Sequence, residues 1–309
     1  MRVLLTGGSG LVGRSILRST PSNVEIFAPS RKDLELQNSA AVKKYLELNQ
    51  IDSVIMAAAQ VGGIGANLKD QYGFLYHNLL IQNGVIEGAR AARVQNLLFL
   101  GSSCIYPKNQ IGTIAEDSIL TGSLEQTNEG YAIAKIAGVK MCRAIRQEFD
   151  LNFFSLMPTN LYGPFDNFNL DSSHVPAALM RKFHEAKVGN LSSVTVWGTG
   201  APRREFMHVD DLANACWYFL NRRLDFDLIN IGTGSEISIS DFARLISLEV
   251  GFRGEIVFDD TKPDGTLSKL LNVELAKKFG WESSISLENG IKSTYKWFND
   301  AYSKGEFRG

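Results

Sequence analysis

A glycine-rich segment, TGGSGLVG, occupies residues 6–13, directly after the apolar run VLL and before a stretch with a helical pattern. Glycine suits such a turn because it tolerates unusual backbone angles and lets an anion approach the backbone. Two glycine spacings fit, one starting at Gly7 and one at Gly8, and both continue through Gly10 and Gly13. The position predicts a dinucleotide-binding loop, with a plain tight turn as the alternative. The contacts expected here are Gly7, Gly10, Leu11, Val12 and Gly13.

Beyond this loop, short apolar runs alternate with longer amphipathic segments through the first half of the chain. Uninterrupted apolar runs are typical of parallel strands buried on both faces. The segments 72–91 and 131–149 repeat apolar residues at the three- and four-residue steps of a helix. The pattern therefore predicts an α/β fold with a Rossmann-type, doubly wound parallel sheet. The apolar runs begin near Val3, Val24, Ser53, Asn96 and Phe153.

The rhythm loosens after residue 164, and a chain of 309 residues is long enough for two closely packed domains. We expect residues 1–165, with roughly 205–235, to form the NADP-binding Rossmann domain. Residues 166–204 and 236–309 are expected to form a smaller C-terminal α/β substrate domain.

Composition excludes several classes of function. The formal net charge of -1 provides no global field for nucleic acid or an anionic membrane. Three cysteines without close spacing give neither a disulfide framework nor a metal pattern, so we expect no metal site and a reducing cytoplasmic location. No apolar stretch approaches the ~20 residues that span a bilayer.

The end of the second strand indicates which dinucleotide binds, because NAD enzymes usually place an acid there for the ribose 2′-hydroxyl. This chain has Ser30, Arg31 and Lys32 at that point, and their positive charge suits the 2′-phosphate of NADP. Asp33 follows closely, so a ribose contact and a solvated surface ion pair remain alternatives. We predict NADP(H), with Arg31 at the phosphate.

Ser102 and the segment YAIAK suggest carbonyl chemistry. Tyr131 and Lys135 are four residues apart and share a helical face, so the ammonium is expected to lower the pKa of the phenol. Ser102 follows an apolar strand at the sheet edge where ligands bind. Tyr-x-x-x-Lys alone is usually structural, but the combination predicts hydride transfer to a ketone, with Tyr131 as proton donor and Ser102 polarising the carbonyl.

The sequence resembles the extended short-chain dehydrogenase/reductases that act on nucleotide sugars, and within them the GDP-L-fucose synthase family. The resemblance covers nearly the full chain. It rests on motifs that occur in order: AAAQVGGIGAN, GSSCIYPK, NEGYAIAKIAG, MPTNLYGPFDNF, SHVPAALMRKFHEA, VWGTG, RREFMHVDDLA and KPDGTLSKLLNV.

The resemblance implies conversion of GDP-4-keto-6-deoxy-D-mannose to GDP-L-fucose, by epimerisation at carbons 3 and 5 and NADPH-dependent reduction of the 4-ketone. It makes Cys104 the base and His174 the acid. Extended-chain alternation would place Cys104 on the same side as Ser102. From the residues alone, a small buried filler is the favoured interpretation of Cys104, and a surface or hydrogen-bonded loop residue that of His174.

The resemblance also assigns binding residues, each of which has a structural alternative as a core or surface residue. A homodimer formed through segments 72–91 and 131–149 is expected as well. The cofactor residues, besides those of the glycine loop and Arg31, are Leu36, Leu100, Gly101, Ser102, Lys135, Pro158, Asn160, Leu161 and His174. The residues for the GDP-linked sugar are Val175, Leu179, Lys182, Trp197, Arg204 and Lys269.

Three other functions stay open. Sugar-nucleotide 4,6-dehydratases share the fold, but they usually follow the serine or threonine with an Asp-Glu pair, where this chain has Ser103 and Cys104. A relative acting on another GDP-4-keto sugar, such as a colitose or 6-deoxyheptose precursor, would keep the same base and acid. A non-catalytic dinucleotide-sensing protein is disfavoured because Ser102, Tyr131 and Lys135 are all present.

Overall fold

The computed structural model describes residues 1–262 and 264–309. The strands are β1 (Arg2–Thr6), β2 (Glu25–Phe27), β3 (Ser53–Met56), β4 (Asn96–Leu100), β5 (Asn152–Pro158), β6 (Asn160–Tyr162), β7 (Ser193–Trp197), β8 (Arg203–Arg204), β9 (Phe206–His208), β10 (Leu228–Ile231), β11 (Ile237–Ser238) and β12 (Glu255–Asp259). The helices are α1 (Leu11–Arg18), α2 (Ser39–Leu48), α3 (Ile64–Lys69), α4 (Gln71–Ala91), α5 (Glu129–Phe149), α6 (Val175–Val188), α7 (Val209–Phe219), α8 (Ile239–Val250), α9 (Glu274–Lys278) and α10 (Leu287–Lys304).

Six of these strands form one parallel sheet in the order β10-β5-β4-β3-β1-β2. Four consecutive side chains of β3 and seven of β5 are buried, which explains their continuous apolar sequences. The predicted doubly wound α/β fold is confirmed. The strand order reverses at β1, because β2 lies on one side of it and β3, β4 and β5 follow on the other. The crevice outside the carboxyl ends of β1 and β3 is where such folds bind ligands.

Helices cover both faces of this sheet. On one face α2, α4 and α5 pack their apolar residues against the strands, with Val42, Val85 and Val139 at most 1% exposed. On the other face α1 and α7 bury Ile16 and Phe219 completely. The helices hold the sheet rigid, so the loops at its carboxyl edge have fixed starting points.

The C-terminal part has its own apolar cluster, in which α6, α8 and α10 surround small two-stranded sheets. β7 pairs with β12 in parallel, and β8 pairs with β11 antiparallel. Between these elements the chain returns to the main sheet through α7 and β10, which pairs with β5. This return supports the division into two domains, whose exact boundaries stay a prediction.

Among the described residues, every helix is too short or too polar to cross a membrane.

Candidate active site

The glycine loop forms an open turn between β1 and α1. Gly7 has a φ of +77°, and a Cβ there would lie 2.8 Å from Ala58, while a Cβ on Gly13 would lie 2.1 Å from the Gly7 carbonyl oxygen. The spacing that starts at Gly7 is therefore the one that the turn requires. Above Gly10 a Cβ would meet only the Gly7 oxygen, at 3.5 Å, so this position is open to a ligand. The free N–H groups at the start of α1 suit a pyrophosphate.

The corner after β2 carries an exposed cation. The side chain of Asp33 accepts hydrogen bonds from the Ser30 N–H at 2.9 Å and the Ser30 hydroxyl at 2.6 Å, and these bonds lower its pKa. Arg31 is exposed and forms no ion pair with any of the described residues. With Asp33 occupied by Ser30, the arrangement favours a phosphate over a bare ribose hydroxyl.

Ser102 and Cys104 lie at the carboxyl end of β4, but not on an extended chain. Residues 103–105 form a 3-10 turn, and the Ser102 hydroxyl accepts a hydrogen bond from the Cys104 N–H at 3.4 Å. The alternation expected for these two residues is therefore wrong, because the serine caps a turn instead of continuing the strand. The two side chains still meet, since a hydrogen bond from Ser102 acts on the Cys104 thiol. Cys104 is buried, with 5% of its surface exposed.

Tyr131 and Lys135 lie on the first turns of α5, facing the same place. The Lys135 ammonium donates to the Leu100 carbonyl oxygen at 2.8 Å and lies 5.7 Å from the centre of the Tyr131 ring. Burial lowers the pKa of Lys135 to about 8. Burial raises the pKa of Tyr131, and the charge of Cys104 raises it further. The hydrogen bond with Ser102 acts in the opposite direction but does not reverse the shift. The expected lowering by Lys135 is absent, and burial sets the direction of the shift, so the phenol stays protonated and able to donate.

The thiol of Cys104 lies among cations. Burial raises its pKa, and the Lys269 ammonium, the Ser102 hydroxyl and the Lys135 ammonium oppose this rise only in part. His174 immediately precedes α6 and keeps an exposed surface, while desolvation by the surrounding chain lowers its pKa. The structure thus brings Cys104 together with Ser102, Tyr131, Lys135 and Lys269.

The strand-end segment after β5 reaches the same edge. Pro158 is buried, while Asn160 and Leu161 are partly exposed. The Asn160 amide donates to the Glu205 carbonyl oxygen at 2.9 Å, and the Thr159 hydroxyl donates to the same oxygen at 3.2 Å. These bonds fix the backbone where a nicotinamide would lie in a doubly wound fold.

The remaining sugar-nucleotide residues form two groups. The Lys182 ammonium donates to the Thr195 carbonyl oxygen at 3.1 Å and lies 5.7 Å from the centre of the Trp197 ring, which is 66% exposed. Arg204 lies close enough to Lys269 to lower its pKa, although burial is the larger cause of that shift. Val175 is 42% exposed, whereas Leu179 is 4% exposed and packs in the C-terminal cluster, so its role as a pocket wall stays a prediction.

The family of this chain follows from its similarity to known proteins. The model of the NAD dependent epimerase/dehydratase family matches residues 3–232, well over half of the chain. The chain belongs to this epimerase/dehydratase family.

Relatives within the epimerase/dehydratase family are similar along their whole length. A GDP-L-fucose synthase of Sinorhizobium fredii is 48% identical over 298 residues, which cover 96% of this chain and 95% of that protein. A GDP-L-colitose synthase of Yersinia pseudotuberculosis is 38% identical, over 96% of this chain and 98% of that protein. The resemblance to enzymes of nucleotide sugars, and to GDP-L-fucose synthases among them, is confirmed.

Solved structures of epimerase/dehydratase type share the fold. A GDP-L-fucose synthetase from Naegleria fowleri bound to NADP matches with a TM-score of 0.89 at 27% identity, over 100% of this chain and 96% of that chain. A GDP-6-OMe-4-keto-L-xylo-heptose reductase from C. jejuni matches with a TM-score of 0.88 at 32% identity, over 97% of both chains.

In this epimerase/dehydratase chain, sequence reasoning missed Glu205, which is fully buried. Its carboxylate accepts hydrogen bonds from the N–H groups of Thr233 at 2.6 Å, Gly234 at 2.8 Å and Leu271 at 3.1 Å. It thereby fixes the loop that carries Lys269. In the sequence, Glu205 stands between Arg204 and the mostly apolar run FMHV. A carboxylate next to a buried strand needs several hydrogen-bond partners, and this was the signal that could have identified it.

Proposed function

We propose that this chain is an NADP(H)-dependent enzyme that converts GDP-4-keto-6-deoxy-D-mannose to GDP-L-fucose. The observation that carries the proposal is the meeting of a thiol, Cys104, with the group of Ser102, Tyr131 and Lys135. An enzyme that only reduces a ketone needs Ser102, Tyr131 and Lys135 but has no use for the thiol. Similarity to the GDP-L-fucose synthase of Sinorhizobium fredii over nearly the full chain supports the choice of substrate.

The reduction uses the hydroxyl groups of Tyr131 and Ser102 around the 4-keto oxygen. NADPH, when bound, supplies the hydride for carbon 4. Ser102 donates a hydrogen bond to the carbonyl oxygen, and the phenol of Tyr131 gives its proton to the oxygen as negative charge develops there. The raised pKa of Tyr131 keeps this proton in place beforehand. Lys135 holds positive charge beside the same oxygen and favours the developing anion.

The two epimerisations use the same oxygen. The 4-ketone acidifies the hydrogens on carbons 3 and 5, so a thiolate at Cys104 can remove each of them in turn as a proton, provided that the first proton passes to solvent before the second step. The electron pair of the broken C–H bond forms the carbon–carbon double bond of an enolate, whose oxygen Tyr131 and Ser102 stabilise. We assign the return of a proton to the opposite face to His174. The pyrophosphate of the sugar nucleotide brings negative charge that favours the protonated imidazole, against the effect of burial.

The direct test is to mix the protein with GDP-4-keto-6-deoxy-D-mannose and NADPH, follow nicotinamide absorbance and identify the sugar. We expect stoichiometric oxidation and GDP-L-fucose. No oxidation, or a reduced product without inversion at carbons 3 and 5, would contradict the proposal. A second candidate, action on another GDP-4-keto sugar, is favoured by the similarity to the GDP-L-colitose synthase and to the heptose reductase. Parallel assays with those precursors separate the two.

The pH dependence of the reduction follows from Lys135. Because its pKa is about 8, the ammonium is present below that pH and is lost as the pH rises through it. We expect kcat for the reduction to fall above about pH 8 with the slope of a single deprotonation. Rates measured with pre-epimerised substrate test this, and a rate that keeps rising through pH 9–10 would contradict the role of the charge.

We propose that Arg31 binds the 2′-phosphate of NADPH. Loss of a charge-assisted hydrogen bond costs about 1.5–3 kcal/mol, so Arg31→Ala is expected to raise the Kd of NADPH roughly 10- to 100-fold. The Kd of NADH should change less than twofold, because it lacks this phosphate. Fluorescence titration of both nucleotides measures the effect, and equal weakening of both would contradict the assignment. Arg93→Ala, a second exposed arginine at the opposite sheet edge, is the control.

We propose that the enzyme is cytoplasmic, which agrees with its three free cysteines. We also propose that it forms a homodimer through α4 and α5. These two helices carry three exposed apolar side chains: Tyr72 is 71%, Tyr76 43% and Ile133 43% exposed. A second copy of the chain would cover this surface. Tyr72→Glu with Ile133→Glu is expected to yield a monomer in light scattering, whereas Leu248→Glu on α8, which is 79% exposed, should leave a dimer. A wild-type monomer would contradict the proposal.

A further inference from the structure

Helix α5, which carries Tyr131, begins without the usual side-chain cap. Asn128 occupies the N-cap position, and its side chain accepts no hydrogen bond from the first turn. The first four N–H groups of a helix have no partner within the helix, and an N-cap side chain normally bonds that of the second or third residue. Here the second residue is Gly130, directly before Tyr131. A different part of the protein must therefore hold this end of the helix.

Gln71, the first residue of α4, supplies that partner. Its side-chain oxygen accepts a hydrogen bond from the Gly130 N–H at 3.2 Å, and its amide nitrogen donates to the Gln126 carbonyl oxygen at 2.6 Å. A Cβ on Gly130 would lie 2.6 Å from the Gln71 carbonyl oxygen, so only glycine permits this approach. One side chain thus joins the start of α5 to the turn before it.

A second glutamine of α4 holds the next turn of α5. The amide nitrogen of Gln82 donates to the Ala134 carbonyl oxygen at 2.6 Å, directly before Lys135. Gln82 is 2% exposed and Ala134 is fully buried, so solvent does not compete for this bond. The residue before Tyr131 and the residue before Lys135 therefore each have a backbone group that is hydrogen-bonded to a glutamine of α4.

We infer that Gln71 and Gln82 are positioning residues, which fix α5 relative to the sheet so that Tyr131 and Lys135 face the reacting oxygen. This inference rests on the proposed reduction. Neither glutamine touches the reacting atoms. Their effect is on geometry, where a displacement of about 1 Å costs up to 100-fold in rate.

The two positions respond differently to glutamate, which provides the test. Gln71→Glu keeps an oxygen for the Gly130 N–H and places negative charge at a helix N-terminus, where it is favourable. It loses the bond to the Gln126 carbonyl oxygen, but that bond is exposed, so water can replace it. Gln82→Glu loses the donor and sets a carboxylate against the Ala134 oxygen. We expect Gln71→Met, Gln82→Met and Gln82→Glu to lower kcat for reduction about 10-fold or more. For Gln71→Glu, kcat should stay within about twofold, and KM for GDP-4-keto-6-deoxy-D-mannose should change little in all four.

The matched control is Thr294→Val, because Thr294 is a buried polar residue, 2% exposed, whose hydroxyl donates within α10 to the Gly290 carbonyl oxygen at 2.7 Å. It should lower thermal stability and leave kcat unchanged. An equal loss of kcat in this control would overturn the inference, as would wild-type kcat in Gln71→Met or an equal loss in Gln71→Glu.

Amide hydrogen exchange separates this inference from the proposed function. We expect residues 129–135 to exchange faster in Gln71→Met than in the wild type, and at the wild-type rate in Gln71→Glu. If the wild type fails to turn over the sugar nucleotide, the proposed function is wrong, and the exchange result still decides whether Gln71 fixes α5. Wild-type exchange in Gln71→Met would overturn the inference.

Discussion

Tyr131→Phe is expected to lower kcat for NADPH-dependent reduction by about 10³-fold, within the range for loss of a general acid. The phenol is the group with a proton held ready, because burial raises its pKa. Lys135 is held at the Leu100 carbonyl oxygen, to which its ammonium donates at 2.8 Å, and it acts on the developing anion through its charge. Single-turnover oxidation of NADPH with a saturating sugar nucleotide measures the step directly.

The control for this variant is Tyr218→Phe on α7, whose hydroxyl donates to the Phe279 carbonyl oxygen at 2.8 Å away from the cleft. It should reduce substrate at the wild-type rate. Exchange of hydrogen at carbons 3 and 5 should fall much less than reduction in Tyr131→Phe, because Ser102 still stabilises the enolate. Wild-type reduction by Tyr131→Phe would show that another group donates the proton.

Cys104→Ser is expected to lower the rates of both inversions by about 10²- to 10⁴-fold, the range for loss of a general base. A serine hydroxyl is close in size to the thiol but far less acidic, so it cannot act as the base even beside the Lys269 and Lys135 ammonium groups. Reduction should persist, since Ser102, Tyr131 and Lys135 are unchanged. The predicted product from GDP-4-keto-6-deoxy-D-mannose is then a reduced sugar without inversion.

Cys216→Ser is the matched control, because Cys216 is fully buried on α7 on the far side of the sheet. It should form GDP-L-fucose at the wild-type rate, whatever it costs in stability. Inversion of both centres at wild-type rates by Cys104→Ser would remove the thiol from the mechanism and leave the assignment of the base wrong.

The fold was predictable because its signals are local in the sequence. Continuous apolar runs such as NFFSLMP mark strands buried on both faces, and the glycine loop marks the first strand-to-helix turn. Tyr131 and Lys135 were predictable for the same reason, since a four-residue spacing fixes their common face once the helix is known.

Other features depend on tertiary contacts that periodicity does not contain. The 3-10 turn at residues 103–105 is closed by the Ser102 side chain. The sequence pattern of these residues does not distinguish such a turn from an extended chain. The pKa of Tyr131 is raised mainly by burial, which the spacing of the residues does not reveal. Glu205 and Gln71 act on backbone groups 28 and 59 residues away in sequence. Polar side chains with such distant partners become recognisable only when the chain is folded.

The central proposal is that one stabilised oxygen, the 4-keto oxygen of the sugar, serves both epimerisation and reduction. Deuterium incorporation tests this proposal most directly. The protein is incubated in D₂O with GDP-4-keto-6-deoxy-D-mannose and NADPH, and the product is analysed by NMR and mass spectrometry. The account predicts GDP-L-fucose that carries deuterium at carbons 3 and 5 and the cofactor's hydrogen at carbon 4. A reduced sugar with no deuterium at carbons 3 and 5 would contradict it.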